Sequence, residues 1–367
     1  FKVIPQASPY SQYLLYKKEI DNSIKRVAES GSYILGNEVS SFEEEFANYI
    51  GVNHAISCKN GTDAIFIALK QFNIGRGDEV ILPSHTAVAT ASAIIMTGAK
   101  PVYVDIEESH YTLDPGHILE ACTSKTKAVI AVHIYGQSCD MDKIVDICKI
   151  KNLKLIEDCA QSVGSSYKGK KLGSIGDIGC FSFFPTKNLG ALGDGGCLVC
   201  NNKNLAMKIK EFRQYGWDAC RNTVKSGINS RLDELQAAIL RVKLKRLDQD
   251  NAERNKQAEF YFDNLKYKNF LLPKIRIHSF HSFHLFVIQI DKRDELKEFL
   301  MINDIATGLH YSSPVHKMPG YASKVNLKIT NQIYSKILSL PLYPGLKRTS
   351  QSFIVEKLHD FISVIKK

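Results

Sequence analysis

The chain has 367 residues, with 48 Lys and Arg against 38 Asp and Glu, for a formal charge of +10. Its 44% hydrophobic and 23% charged content excludes a disordered chain, and its length suits a large α/β domain with a smaller companion. The longest nearly apolar stretch, 87–99, is interrupted by Thr and Ser and is too short to span a bilayer. No basic-then-apolar leader is read at the start, so a cytoplasmic protein without membrane contact is expected.

In chain order, 12–28 reads as helix. From about 54 to 200, short β-rich runs alternate with helical ones. Strands are predicted over 55–58, 79–82, 101–105, 128–133, 153–157, 179–183 and 196–200, with helices over 64–72, 86–97 and 142–149. Continuous apolar strands alternating with helices imply a mostly parallel sheet buried on both faces. A long helical stretch follows Arg231 to about Leu265. Beyond Pro273 the pattern becomes mixed, with a strand over 283–290 and helices over 294–302, 332–338 and 352–365. A domain change is placed near residue 250.

Nine cysteines, odd in number and irregular in spacing, fit reduced thiols better than a disulfide framework. Cys197 and Cys200 form a lone C-x-x-C. On a strand, residues three apart point to opposite faces, and no second pair completes four ligands, so no metal is expected. His278, His281 and His284 read as strand-edge residues without metal spacing. The basic residues are scattered lysines outside any RNA-binding, zinc-finger or basic-zipper pattern, so no nucleic-acid partner is expected. A positive field would still draw an anionic small substrate.

Ligands of open α/β sheets gather at the carboxyl ends of strands, and three segments fall there. Asn60-Gly61-Thr62-Asp63 opens a helix, either as a plain cap or as an anion site built from free N–H groups. Leu155-Ile156-Glu157-Asp158 ends a strand on two carboxylates. Asp158 either caps a turn or faces a cationic ring nitrogen and keeps it protonated. Cys180-Phe-Ser-Phe-Phe-Pro-Thr-Lys187-Asn188 delivers Ser182 and then Lys187 into aromatic and Gly-rich surroundings. Such a Lys is either a surface loop residue or an amine that loses its charge readily and forms a Schiff base. Glycines from 190 to 196 favour the second reading, since they let backbone crowd a ligand.

Read together, Gly61-Thr-Asp-Ala64, Ile156-Glu-Asp-Cys-Ala-Gln161, Phe181-Ser-Phe-Phe-Pro-Thr-Lys187, Asn229-Ser-Arg-Leu-Asp-Glu-Leu-Gln-Ala-Ala238 and Leu340-Pro-Leu-Tyr-Pro344 resemble the sugar aminotransferases of the DegT/DnrJ/EryC1/StrS family. Order and spacing match over nearly the whole chain. The resemblance implies a type I aminotransferase fold. Its large domain, 1–250, would hold a mostly parallel seven-stranded sheet between helices, and 251–367 would form a smaller C-terminal α+β domain. It also implies pyridoxal 5'-phosphate, with Lys187 in Schiff-base linkage, Asp158 on the pyridinium nitrogen and Gln161 on the ring hydroxyl. Behind Gly61, the backbone of Thr62 and Asp63 together with the Ser182 hydroxyl would hold the phosphate. Asn229 would reach the phosphate of a neighbouring subunit, which makes the working unit a homodimer with shared active sites. Arg231 would serve the substrate or form a structural ion pair.

Two departures stand out. Where the family usually has an aromatic after Pro-x-x-Thr, this chain reads Pro83-Ser-His-Thr-Ala87, so His85 or another side chain would cover the cofactor ring. The usual Thr-Thr-Gly-Glu-Gly-Gly becomes Gly190-Ala-Leu-Gly-Asp-Gly-Gly196, with the glycine frame kept. The segment from Gly308 to Tyr321 resembles the His-Tyr-Pro-x-Pro-x-His loop of C3-specific members. His310, Tyr311 and His316 match it, while Ser312 replaces the first Pro. Those histidines bind substrate or are satisfied polar groups. The expected reaction moves an amino group from L-glutamate to a dTDP-linked 3-keto-6-deoxyhexose. The alternative is a C4 aminotransferase acting on a UDP- or dTDP-linked 4-keto sugar. A dehydratase branch carries His at the Lys187 position, which argues against it. A non-catalytic regulator would not need Asp158, Ser182 and Lys187 together.

Overall fold

A computed structural model describes residues 3–265 and 269–365. Seven strands form the main sheet: His54–Cys58 (β1), Glu79–Pro83 (β2), Lys100–Val104 (β3), Thr126–Val132 (β4), Lys154–Asp158 (β5), Ile178–Ser182 (β6) and Gly196–Cys200 (β7). They lie in the order β1-β7-β6-β5-β4-β2-β3. β7 runs antiparallel to both neighbours, and all other adjacent pairs are parallel. The strands from β6 to β2 have nearly every residue buried, as a sheet covered on both faces requires.

Alternate residues feed opposite faces. Ile56, Ile130 and Leu198 belong to one buried cluster, whereas Ala55, Val129 and Val199 belong to another. Cys197 and Cys200 obey the same period and fall in different clusters, so they face away from each other. A third cluster, with Tyr261, Phe286, Leu338 and Leu358, packs the helices Leu247–Leu265, Arg293–Ile302 and Arg348–Ile365 against an antiparallel pair. That pair is Phe286–Gln289 (β8) and Ile337–Leu340 (β9). Among the described residues no helix is long and apolar enough to cross a membrane.

Several sequence expectations are corrected. Residues 332–338 are not one helix: Lys328–Ile333 is helical, and β9 begins at Ile337, held by a four-residue ladder to β8. The helix expected over 12–28 is two, Pro9–Leu15 and Lys17–Ser30, parted at Tyr16. The long stretch after Arg231 likewise divides into Glu234–Leu244 and Leu247–Leu265. His281 and His284 are not strand-edge residues but are buried, with His281 stacked on Phe283 at 4.0 Å.

Candidate active site

β5 ends on Asp158 and β6 on Ser182, neighbouring strands pointing the same way, so both side chains arrive at the carboxyl edge of the sheet. The helix Gly61–Gln71 starts beside them. A Cβ on Gly61 would lie 2.7 Å from Ser182 Cβ, and one on Gly196 would lie 2.3 Å from the Asn60 carbonyl oxygen. Only glycine allows this approach. Asn60 caps the helix by accepting the Asp63 N–H at 2.8 Å. The Asp63 amide is therefore committed, and the first-turn amides left over are those of Gly61 and Thr62. The Asp63 carboxylate accepts the Ser230 hydroxyl at 2.6 Å.

Asp158, 5% exposed, accepts the Thr90 hydroxyl at 2.9 Å and the Ala160 N–H at 3.1 Å. Burial pushes its pKa up, while these bonds and the Lys187 charge pull the other way. Lys187 shows the converse: burial drives its amine down to about 8, against the pull of Asp158. Behind Asp158, Glu157 accepts the N–H groups of Gly173, Ile175 and Gly176 and pairs with His133 at 3.1 Å. This saturated carboxylate, with Cys159 nearby, is the one group among the described residues with metal-ligand spacing.

Gln161 is oriented from both ends. Its carbonyl accepts the Tyr135 N–H at 2.7 Å, and its amide donates to the Tyr311 hydroxyl at 2.7 Å. One amide proton remains for a ligand. His310 bonds Ser339 Oγ through Nδ1 at 2.9 Å, and burial together with Lys187 takes its pKa to about 4. His85 bonds the Tyr135 hydroxyl at 2.6 Å. His316 is buried and held by Ser84 at 2.6 Å.

Lys187, Asp158, Gln161, His310 and Tyr311 are thus brought close to one another, with Gly61 packed against Ser182 and His85 linked to His310 through Tyr135. Asn229 lies exposed on a separate loop, bridged to Gln214. Arg231 is half-buried and forms no ion pair or hydrogen bond among the described residues. Thr90 and Tyr135 carry no motif of their own. Thr90 is recoverable in retrospect only through Thr86, four residues earlier, whose hydroxyl meets it at 2.9 Å.

The donor set fits a phosphorylated pyridine aldehyde: a desolvated amine, a buried carboxylate, an amide with a spare proton, and a glycine-only cradle ending in a hydroxyl and free backbone N–H groups. A mostly parallel sheet carrying these groups at its carboxyl edge defines a fold-type I aminotransferase.

Comparison with known proteins agrees. Residues 15–359 match the DegT/DnrJ/EryC1/StrS aminotransferase family, to which the chain belongs. It is 44% identical over 348 residues, 94% of this chain and 96% of the relative, to the dTDP-3-amino-3,6-dideoxy-alpha-D-galactopyranose transaminase of Aneurinibacillus thermoaerophilus. It is 40% identical to the UDP-2-acetamido-2-deoxy-3-oxo-D-glucuronate aminotransferase of Pseudomonas aeruginosa, covering 95% and 97% of the two chains. The crystal structure of S. venezuelae DesV in complex with a ketimine intermediate superposes with a TM-score of 0.96 at 37% identity, over 99% of each chain. NtdA of Bacillus subtilis, solved with bound cofactor PMP, gives 0.89 at 31% identity over 95% of this chain and 82% of that one. The protein is a transaminase of the nucleotide-sugar type, in a family that works with pyridoxal phosphate.

Proposed function

We propose that the protein transfers the amino group of L-glutamate to a dTDP-linked 3-keto-6-deoxyhexose, giving a dTDP-3-amino-3,6-dideoxyhexose. The observation that carries the transaminase chemistry is the Lys187 amine, lowered to about 8 beside Asp158. The 3-keto, dTDP-linked assignment is supported by the Aneurinibacillus relative. A UDP-linked 3-oxo sugar is favoured by the Pseudomonas relative and is the second reading. The 4-keto alternative rests on the paired-histidine loop alone.

Pyridoxal 5'-phosphate, when bound, supplies the electron sink that lets the C–H bond beside the amino group ionise. Lys187 anchors that group and, once freed, takes the proton from the glutamate α-carbon and later delivers one to the sugar carbon. Asp158, oriented by the Thr90 hydroxyl and the Ala160 N–H, would hold the ring N–H. Gln161 offers its spare amide proton to the ring hydroxyl. The Ser182 hydroxyl and the amides of Gly61 and Thr62 hold the phosphate, with Asp63 acting through its hydrogen bonds to Asn60 and Ser230. Asn229 and Arg231 are exposed or half-exposed next to Ile34, an exposed apolar residue bridged to Asp233. That surface suits a second copy of the chain, whose phosphate Asn229 would reach and whose substrate carboxylate Arg231 would pair. His310, Tyr311 and His85 would line the sugar side, with His316 buried behind them against Ser84.

The test follows the bound cofactor's colour. The enzyme is charged with L-glutamate, freed of it, and offered dTDP-3-keto-6-deoxyhexose, its 4-keto isomer or the UDP-linked 3-oxo sugar. The dTDP-3-keto sugar is expected to restore the absorbance fastest; restoration by the 4-keto isomer alone would establish the alternative. Lys187→Ala should lower turnover by about 10⁴-fold or more.

A further inference from the structure

Tyr135 belongs to none of the motifs that mark the site, yet three site residues converge on it. It follows β4 in the turn Ile134–Gly136, in the left-handed backbone region (φ 63°), and is 3% exposed. Its backbone N–H goes to Gln161, and its hydroxyl meets both His85 Nε2, at 2.6 Å, and the His310 carbonyl. A hydroxyl has one proton and a carbonyl can only accept. The Tyr135 proton therefore lies toward His310, and His85 donates its Nε2–H to the Tyr135 oxygen. That leaves the lone pair of His85 on Nδ1.

Nδ1 has no hydrogen-bond partner among the described residues. The residue is 1% exposed, so this acceptor is held in place without a partner of its own. The ring cannot turn freely: its centroid is 5.8 Å from that of Tyr135, edge to face, and 6.3 Å from that of Tyr111. Burial lowers its pKa to about 4 even with Asp105 pulling upward, so at neutral pH it carries no charge. A neutral ring with one unpartnered lone pair accepts hydrogen bonds and offers nothing to an anion. Phosphates and carboxylates have no proton for it. A sugar hydroxyl does.

We propose that Tyr135 is a positioning residue that locks His85 as a neutral acceptor, and that His85 Nδ1 takes a hydroxyl proton of the keto-sugar substrate. The inference rests on the nucleotide-sugar reading given above. Because the same Tyr135 hydroxyl holds the His310 carbonyl, the acceptor and the His310–Tyr311 loop are set by one atom.

The test combines the unaltered holoenzyme with Tyr135→Phe, which removes a single oxygen. With ¹⁵N-labelled histidine rings, and His85 assigned by its loss in His85→Gln, the unaltered protein should show the Nε2-protonated tautomer and the variant a mixture. The KM for the keto sugar should rise about tenfold in Tyr135→Phe. The rate at which L-glutamate bleaches the bound cofactor should stay within about twofold. A Nδ1-protonated His85 in the unaltered protein overturns the proposal whatever the variant does. So does an unmoved sugar KM, or a glutamate half-reaction that collapses together with the sugar step. An unaltered enzyme that accepts no nucleotide sugar overturns the functional reading and this proposal with it, whereas turnover with an unmoved KM overturns this proposal alone.

Discussion

At Lys187 burial strips water from the ammonium while the Asp158 carboxylate draws the proton back, and the balance falls at about 8. At pH 7 roughly one amine in ten is then unprotonated, against roughly one in 2,500 for a lysine in water. Only the unprotonated amine attacks an aldehyde. Cofactor-free protein should take up pyridoxal phosphate at a rate that climbs with pH and levels off above about 8, rather than rising on toward 10.5. Asp158→Asn removes the charge that raises the amine's pKa, so the plateau should begin at lower pH, by up to about one unit. Stopped-flow absorbance across pH 6 to 10 reads both curves. A midpoint near 10 in the parent would mean that the amine is not desolvated at all.

On the scale of elements, the cradle depends on how closely the helix Gly61–Gln71 approaches β6. A methyl on Gly61 would stand 2.7 Å from Ser182 Cβ and 3.3 Å from its Cα, so backbone as well as side chain must yield. Gly61→Ala should weaken cofactor binding by about ten- to a hundredfold while leaving the far-ultraviolet circular dichroism unchanged. Gly75→Ala, whose new methyl would meet only the Thr97 carbonyl at 3.5 Å, serves as the control and should bind normally. Equal affinities for the two variants would show that the cradle tolerates the shift. The same scale shows what could be read from sequence. The seven strands announced themselves because each is a short, mostly apolar run set off by polar or Gly-containing stretches. Lys187, Asp158 and Gln161 stood in contiguous motifs at strand ends. The segment from Gln332 to Leu338 misled because Ile333 and Ile337 have helical spacing, whereas β9 is made a strand by pairing with β8, far upstream. Tyr135 and Ser230 were invisible for a related reason: their partners His85 and Asp63 lie far off in sequence, and no local pattern encodes such a contact.

Across the whole molecule the C-terminal part is not a loose appendage, since Leu285, Val287, Val315 and Ile337 enter the same buried cluster as Ile56 and Leu82 of the main sheet. Four desolvated histidines also lie on these packed surfaces. Burial lowers His85 and His310 to about 4, His281 to about 3, and His284 well below its ordinary value, with Lys187 and Arg254 adding to the effect on His284. His284 bonds Asn188, the residue after Lys187, at 3.1 Å. Each ring binds a proton readily when the chain is unfolded, near pH 6.5, but not when folded until pH is far lower. The unfolded state therefore holds more protons throughout that window, so stability falls as pH drops from 6.5 toward 4. Each group contributes up to about 1.4 kcal/mol per pH unit. Paired carboxylates such as Glu107, held low by His110 and Arg276, add their loss only below about 4.5. The melting temperature should thus fall steeply between pH 6.5 and 5, before paired carboxylates such as Glu107 titrate. His281→Gln should flatten that slope by one proton's share, even if its melting temperature at pH 7 is lower. A melting temperature that holds level from pH 7 to 5 would mean that these rings are protonated in the folded protein, and the neutral state argued for His85 would fall with them.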